Sequence, residues 1–205
     1  MAMGRPREFE VDKALDLALQ VFWRKGYEGA SMADLTEAMG ITKPSLYAAF
    51  GNKEELFRKA LDRYVDGPGG YFQVALGKPT ARAVVEHLLF EAADAVTDPN
   101  NPPGCLAVQG ALCCGDAAQS IKQELMLRRA NGEEDLRKRF DRAIAEGDLP
   151  AGSDAADLAR YISAILQGMA VQAAGGTSRE QLRKIAEMAL RTWPPTASAA
   201  PDRPA

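Results

Sequence analysis

Side chains able to do covalent or metal chemistry are few in this sequence, and they are not grouped. There is one histidine, His87, and there are three cysteines, Cys105, Cys113 and Cys114. A zinc site needs clustered Cys, His or carboxylate ligands, and an acyl-transfer site needs a nucleophile, a base and an orienting group. Neither pattern is present, and the GPGG stretch at 67–70 has no preceding strand that would make it a nucleotide-binding loop. We therefore expect a protein that is not an enzyme and holds no metal or cofactor.

Composition and charge indicate a globular chain but do not settle whether it binds nucleic acid. The 205 residues are 46% hydrophobic and 26% charged, with a net charge of −3. Residues 1–63 contain ten Lys/Arg and ten Asp/Glu, so DNA binding would require the basic groups to be sorted onto one surface. Because there is no signal-like apolar segment and no run long enough to span a membrane, and the number of cysteines is odd, we expect a cytoplasmic protein without a membrane partner.

Apolar residues recur at helical spacing along the whole chain, which predicts an all-α fold. A first helix is expected over about 10–25, and Ser31, Thr42 and Asn52 are expected to cap three more helices, the last of which runs to about 66. Further helices are predicted over 71–76, 81–97, 105–114, 117–147, 154–174 and 179–193, with Ser153 capping the helix over 154–174. We expect a flexible basic arm over 1–9, an N-terminal domain over 10–66 with a linker helix at 53–66, a larger domain over 67–193, and a disordered tail over 194–205.

The second and third helices are short and are joined by Gly40-Ile41, which predicts a helix-turn-helix. In that motif the second helix places its N-terminal residues and outer face in the major groove. Leu46 and Phe50 would hold it against the first helix, and the small Ala48 and Ala49 would allow close approach to the bases. A small helical bundle with good caps is the alternative explanation.

Several polar side chains are predicted to reach DNA from this motif. The third helix would direct outward, or towards its own start, the residues Thr42, Lys43, Ser45, Tyr47 and Ala49. Lys53 and the free amides at the start of the fourth helix could bind a phosphate. Arg5 and Arg7 could lie along the backbone or in the minor groove.

The segment from Ala14 through Leu61 resembles the DNA-binding domain of TetR-family transcriptional regulators. The resemblance rests on Ala18, Phe22, Gly26, Tyr27, Ser31, Leu35, Met39, Gly40, Ile41, Ser45, Leu46, Tyr47, Phe50, Lys53, Glu54, Leu56 and Phe57. It implies that Tyr47, Lys53 and Ser31 contact phosphates, with Met32 beside them. Many members have an aromatic residue or His where this chain has Ala48 and Ala49. Base contacts are therefore expected from Thr42, Lys43, Pro44 and Ser45.

Residues 67–193 resemble the same family in outline, as a ligand-binding and dimerisation domain. In the helix over 154–174, the small stripe of Ala164, Gly168 and Val171 would let another helix approach closely. Together with Leu182 and Ile185 of the next helix, it predicts a four-helix interface across a two-fold axis. An ordinary intramolecular core explains the pattern equally well, but a member of the family needs two DNA half-sites, which favours a homodimer.

Cys105 is the candidate sensor of the larger domain. It follows a glycine at a predicted helix start, where the helix dipole favours a thiolate. The PGCL stretch resembles a TetR subgroup that includes the repressor of N-ethylmaleimide reductase, in which a cysteine at this position reacts with electrophiles. The alternative is a small buried apolar residue, which is how Cys113 and Cys114 are interpreted. The predicted effector pocket comprises Cys105, Leu106, Gln109, His87, Tyr161, Ile165 and Met169.

These features predict a homodimeric, ligand-responsive repressor. Its partners would be a palindromic double-stranded DNA operator, a second copy of the chain and an unidentified small apolar or electrophilic effector that releases the operator. One alternative is a helical small-molecule carrier or an enzyme that does not bind DNA. Another is an activator or adaptor that keeps the same DNA-binding domain.

Overall fold

The computed structural model describes residues 5–112 and 118–195, with side chains over 11–109 and 118–195. Within these ranges the chain forms ten α-helices and no β-strand, so the predicted all-α fold is confirmed. The helices are α1 (Arg5–Gly29), α2 (Met32–Met39), α3 (Lys43–Phe50), α4 (Lys53–Asp66), α5 (Tyr71–Leu76), α6 (Ala81–Ala95), α7 (Leu106–Leu112), α8 (Gln119–Ala145), α9 (Ala155–Ala174) and α10 (Arg179–Thr192).

Helices α1 to α4 form the N-terminal domain around one aromatic and aliphatic core. Phe22 of α1 and Phe57 of α4 are fully buried and meet edge to face, with ring centroids 5.0 Å apart. Leu35 of α2 and Leu46 of α3 are also fully buried, so each helix of the motif has one side fixed by this core. Burying each such side chain contributes about 1.5–3 kcal/mol.

The first helix begins earlier than predicted and is broken where it was predicted to end. It begins at Arg5, so residues 5–9 are helical and the predicted flexible arm over 1–9 is wrong for that part. Its regular part ends beside the predicted end at about residue 25, because Gly26 has a non-helical backbone with φ 69° and ψ 176°, and a short helical stretch then follows to Gly29. That positive φ is a conformation that glycine adopts without a steric cost, and it separates the two helical stretches.

The larger domain packs α6, α8, α9 and α10 around a second core that includes Leu88, Leu136, Phe140 and Ile162, all fully buried. The long helix α8 is not interrupted at Asn131-Gly132. Asp154, and not the predicted Ser153, caps α9, because its carboxylate accepts hydrogen bonds from the amides of residues 156 and 157. Cys113, Cys114 and the tail beyond residue 195 lie outside the described residues.

An apolar contact joins the two domains. Leu106 of α7 and Ile121 and Leu125 of α8 are buried in the core of the N-terminal domain, not in that of the larger domain. Among the described residues, no helix combines the length and the apolar character needed to cross a membrane.

Candidate DNA-binding surface and effector cavity

Two residues of the recognition helix α3 pack into the core of the N-terminal domain, and the other residues are exposed to solvent. Leu46 and Phe50 are buried, whereas Lys43, Pro44, Ser45, Ala48 and Ala49 are exposed and Tyr47 is 47% exposed. At its start, the Thr42 hydroxyl oxygen accepts from the Ser45 amide at 3.4 Å and lies 2.9 Å from the Ser45 hydroxyl. The predicted DNA-contacting residues of α3 therefore lie together on its open side.

The start of α2 is a closed capping box. The Ser31 hydroxyl accepts from the Asp34 amide and donates to the Asp34 carboxylate at 2.8 Å, while Lys25 lies 2.7 Å from the same carboxylate. The hydrogen bond from Lys25, followed by those from Ser31, lowers the pKa of Asp34 from 3.8 to about 2. Ser31 is exposed and Met32 half-buried, so a DNA phosphate approaching Ser31 would meet a carboxylate already held there.

The start of α4 combines a second capping box with a lysine of fixed orientation. Asn52 and Glu55 cap each other's backbone amides at 2.9 Å. Gly51 has a φ of 78°, and a Cβ at this position would overlap the Glu55 carboxylate, so the turn after α3 requires glycine. The Lys53 ammonium lies 4.5 Å from the centre of the Tyr27 ring, and burial lowers its pKa.

The side chains of Arg5 and Arg7 lie outside the part of the chain whose side chains are described, so their predicted DNA contacts stay predictions. Ala48 and Ala49 line an open groove with Pro44 and Ser45 of α3 and with Val11 and Ala14 of α1. Their small size leaves that groove unobstructed, which agrees with the prediction that Ala48 and Ala49 allow α3 to approach the bases closely.

A cavity of about 310 Å³ lies between the C-terminal end of α4 and helices α5, α7, α8 and α9. This volume is at the lower end of the range for small-molecule sites. Its lining residues come from five elements: Tyr64, Val65, Gly69, Tyr71, Phe72, Gln73, Cys105, Ala107, Arg128, Arg129, Asn131, Gly132, Glu133, Asp135, Ser163, Leu166 and Gln167.

Cys105 lines this cavity and accepts a hydrogen bond from the linker helix α4. The Tyr64 hydroxyl of α4 donates to Cys105 Sγ at 3.1 Å, and the Tyr64 ring packs edge to face on Trp23 of α1, with centroids 4.8 Å apart. Burial, with a smaller contribution from Cys105, raises the pKa of both Tyr64 and Tyr71. Both phenols therefore remain protonated donors at neutral pH.

Ion pairs also couple α4 to α8, which forms one wall of the cavity. Arg58 of α4 lies 2.8 Å from Glu124 of α8. Arg128 of α8 contacts Asp62 of α4 at 2.6 Å and Glu124 at 2.9 Å. Because Arg128 also lines the cavity, a displacement of α8 there would be transmitted to the helix that follows α3.

Only one of the predicted pocket residues lines the cavity. Leu106 is buried in the N-terminal core, and Gln109 donates to the Pro103 carbonyl at 3.3 Å. Tyr161 is 43% exposed on the outside of α9, where its hydroxyl lies 3.1 Å from that of Thr192. The remaining three, which are half-buried His87, half-buried Ile165 and buried Met169, are likewise not among the lining residues.

The residues that sequence reasoning missed lie mostly on helices that were correctly placed. The aromatic pair Tyr71-Phe72 directly follows the GPGG break and was visible in the sequence. Arg129 and Ser163 had no local signal, because their role depends on how α8 and α9 pack together.

Some residues of the predicted dimer face are exposed to solvent, and others are buried within the chain. Ala164, Gly168 and Val171 are exposed on α9, and Val171 is 48% exposed. Leu182 is fully buried in the core of its own chain, so its assignment to an interface is wrong. Ile185 is half-buried and packs against the same core.

Comparisons with known proteins agree with this architecture. Residues 14–60 match the model for bacterial regulatory proteins of the tetR family, and residues 81–193 match that for the tetracyclin repressor-like C-terminal domain. Over 193 residues the chain is 36% identical to the HTH-type transcriptional repressor ComR of Escherichia coli (strain K12), covering 93% of this chain and 92% of ComR. The chain belongs to the TetR family. It is a DNA-binding transcriptional regulator, and the DNA-binding domain inferred from its helix-turn-helix is confirmed.

Other TetR-family proteins share most of this chain's length. BdcR of E. coli (strain K12), another HTH-type transcriptional repressor, is 30% identical over 194 residues, or 91% of this chain and 90% of BdcR. A cysteine-substituted variant of the TetR-family regulator CifR, solved with a 26-base-pair operator DNA, is 44% identical and superposes with a TM-score of 0.86 over 95% of this chain and 99% of that one. Reduced NemR of E. coli, at 18% identity over 92% of this chain and 98% of that one, has a TM-score of 0.71, which shows the shared fold. Among the described residues, no group of His, Cys or carboxylate side chains is arranged to hold a metal ion.

Proposed function

We propose that this TetR-family protein is a homodimeric repressor that leaves a palindromic operator when a small apolar or electrophilic molecule occupies the cavity beside Cys105. The repressors ComR and BdcR, similar over almost the whole chain, support repression. CifR, solved with a 26-base-pair operator DNA, supports an operator long enough for two half-sites.

In this proposal α3 enters the major groove, and the exposed side chains of Thr42, Lys43, Pro44 and Ser45 reach base edges. Ala48 and Ala49 allow the helix to approach closely and contact thymine methyl groups. Tyr47 and Lys53 bind phosphates on either side and fix the register of the helix. Ser31 adds a phosphate contact from α2 once its hydroxyl, which donates to Asp34 in the free protein, turns to the phosphate.

Two copies would associate through the exposed faces of α9 and α10. Ala164 and Gly168 give α9 a surface without bulk, and Val171 and Met188 add exposed apolar area, Met188 being 58% exposed. Burial of such a face in a second copy removes this apolar surface from water. The symmetric pair would place its two α3 helices about 34 Å apart, or a multiple of this, which is one turn of DNA.

The observation that carries the release mechanism is the hydrogen bond from Tyr64 to Cys105 Sγ. When the thiol adds to an electrophilic alkene such as N-ethylmaleimide, a new S–C bond forms. The alkene π pair moves to the neighbouring carbon, which takes up the proton that the thiol has lost. The bulky thioether displaces the buried Tyr64, and α4, which starts directly after the turn from α3, moves with it. The spacing of the two recognition helices then no longer fits the operator.

This proposal is tested by fluorescence anisotropy on DNA from the region flanking the protein's own gene. We expect salt-sensitive binding that is lost on treatment with N-ethylmaleimide, and we expect Cys105→Ser to bind DNA normally but to resist release. The double variant Cys113→Ser/Cys114→Ser is the matched control and should still be released. Undiminished release of Cys105→Ser would exclude Cys105 as the sensor.

The direction of regulation is a separate question, because the HTH-type transcriptional activator FasR of Mycolicibacterium smegmatis is 38% identical over 61 residues, 30% of this chain. That similarity covers much less of the chain than the similarity to ComR, so we favour repression. A reporter fused to the bound promoter should become more active when the protein is deleted.

A further inference from the structure

Within the described part of the chain, the cavity lining holds a cationic group with unused donors and a hydroxyl without a hydrogen-bond partner, and neither serves the reaction of Cys105. Arg129 of α8 is half-buried, and its Nη1 donates to the Ala107 carbonyl at 3.0 Å. Among the described residues, no carboxylate pairs with Arg129, although a guanidinium has five N–H donors. The other arginine of the lining, Arg128, is committed to Asp62 and Glu124.

Ser163 of α9 provides the second polar group. The residue is only 8% exposed and lines the cavity, and its hydroxyl has no hydrogen-bond partner among the described residues. Its oxygen is not one of the fully enclosed side-chain atoms that lack a partner, so it is reachable from the cavity, where water or a ligand can bond to it. The open space in front of Ser163 is the cavity itself.

The packing of α8 against α9 places Arg129 and Ser163 at the same position along the two paired helices. The helices are joined by the nine residues 146–154, and Arg160 of α9 lies 3.7 Å from Glu133 of α8, which indicates their antiparallel register. Three residues further along α9, Ser163 therefore faces the turn of α8 that holds Arg129.

The rest of the lining is mixed, because the amides of Gln73, Asn131 and Gln167 and the hydroxyl of Tyr71 are polar whereas several other side chains are apolar. Phe72 of α5, Leu166 of α9 and Val65 of α4 form apolar walls. Of the two carboxylates in the lining, Glu133 is partly neutralised by Arg160. Asp135 lies about 9 Å farther along α8 than Arg129, at 1.5 Å per residue. The lining therefore offers a cation, a hydroxyl and apolar walls to one ligand.

From this arrangement we propose that the effector is a small amphipathic carboxylic acid. Its carboxylate binds Arg129 through charge-assisted hydrogen bonds and accepts from the Ser163 hydroxyl. Its apolar body packs on Phe72 and Leu166, beside Cys105. This inference rests on the proposed effector role of the cavity, and it adds the chemical class that the cavity selects.

The test compares 3-phenylpropanoate with its neutral amide, 3-phenylpropanamide, by isothermal titration calorimetry on the full chain. We expect the acid to bind at least about tenfold more tightly than the amide. Arg129→Gln should remove that preference by weakening acid binding about tenfold, with little change for the amide. Ser163→Ala should weaken both ligands a few-fold. Arg137→Gln, on the same helix but outside the cavity lining, is the matched control and should leave both affinities unchanged.

Equal affinity for acid and amide, binding of neither, or an equal loss of both in Arg129→Gln would overturn this inference. Operator binding is measured on the same preparations by anisotropy. A protein that binds the operator and is released by N-ethylmaleimide, yet shows no preference for the acid, refutes the carboxylate inference alone. A protein that prefers the acid but binds no operator refutes the proposed function and leaves the ligand class supported.

Discussion

At the scale of single residues, the lysines beside α3 differ in how firmly they are oriented. Lys53 lies over the Tyr27 ring at 4.5 Å, whereas the Lys43 ammonium is 6.0 Å from the ring centre of the exposed Tyr47. A cation held over a half-buried ring loses less side-chain entropy when it binds a phosphate. Lys53 is therefore the residue expected to position the protein on the backbone, and Lys43 is free to follow the bases.

Replacing Lys53 with Met should weaken operator binding about equally for specific and unrelated DNA. It should also make the salt dependence shallower by about one unit in the slope of log K against log[salt], because one phosphate contact is lost. Anisotropy titrations at several salt concentrations measure this slope. Lys138→Met removes a lysine from α8 of the larger domain and should leave the slope unchanged. Identical slopes for Lys53→Met and the unmodified protein would show that Lys53 makes no phosphate contact.

Local signals in the sequence were sufficient to predict the helix caps of the N-terminal domain. The caps at Ser31, Thr42 and Asn52 were predicted from residue type and spacing, and the structure has all three. Caps are decided within four residues, so a local pattern contains the needed information. Leu182 shows the opposite case, since its position on α10 was correct but its burial depends on α6 and α9.

The cavity could not be predicted for the same reason. Its lining comes from residues between 64 and 167, and among them only Cys105, which follows a glycine at a helix start, and the Tyr71-Phe72 pair, which follows the GPGG break, carried a local signal. The predicted companions Ile165 and Met169 instead pack into the core, while the neighbouring Ser163 and Leu166 line the cavity.

At the scale of elements, the stability of α2 depends on the charge of one side chain. Asp34 closes the capping box with Ser31 and pairs with Lys25. Its carboxylate also lies at the positive end of the helix, where a negative charge is favourable. Protonation of Asp34 weakens all three interactions, so the first helix of the helix-turn-helix is sensitive to acid.

The pH dependence of this effect follows from the direction of the shift. The pKa of Asp34 is lowered from 3.8 to about 2 in the folded protein, so the stabilisation is fully present above about pH 4 and is lost as the pH falls towards 2. In chemical unfolding, Asp34→Asn should be less stable than the unmodified protein at pH 6, and this difference should shrink between pH 4 and 2. Lys25→Met should raise the pKa of Asp34, as measured by NMR titration of its carboxyl carbon. A stability difference that stays constant down to pH 2 would contradict the assignment.

At the scale of the whole molecule, the outer face of α9 shows no function within one chain. Nothing lies within 4 Å of a Cβ placed on Gly168, and Val171 is 48% exposed although its neighbours Ala170 and Ala173 are buried. A single chain has one recognition helix and reads one half-site. The proposed second copy explains both the exposed face and the need for two half-sites.

Replacing Val171 with Arg should therefore produce a monomer with a normal fold, because the charge is exposed in one chain but buried without a partner in the dimer. Analytical ultracentrifugation should show half the mass of the unmodified protein, and circular dichroism should show unchanged helix content. Operator affinity should fall by at least about 100-fold, since the binding energy of the second half-site is lost. Val74→Arg places the same charge at a 57% exposed position on α5 and should stay dimeric with full operator affinity. A Val171→Arg protein that remains dimeric would show that the interface lies elsewhere. A monomer that keeps full affinity would show that one half-site is sufficient.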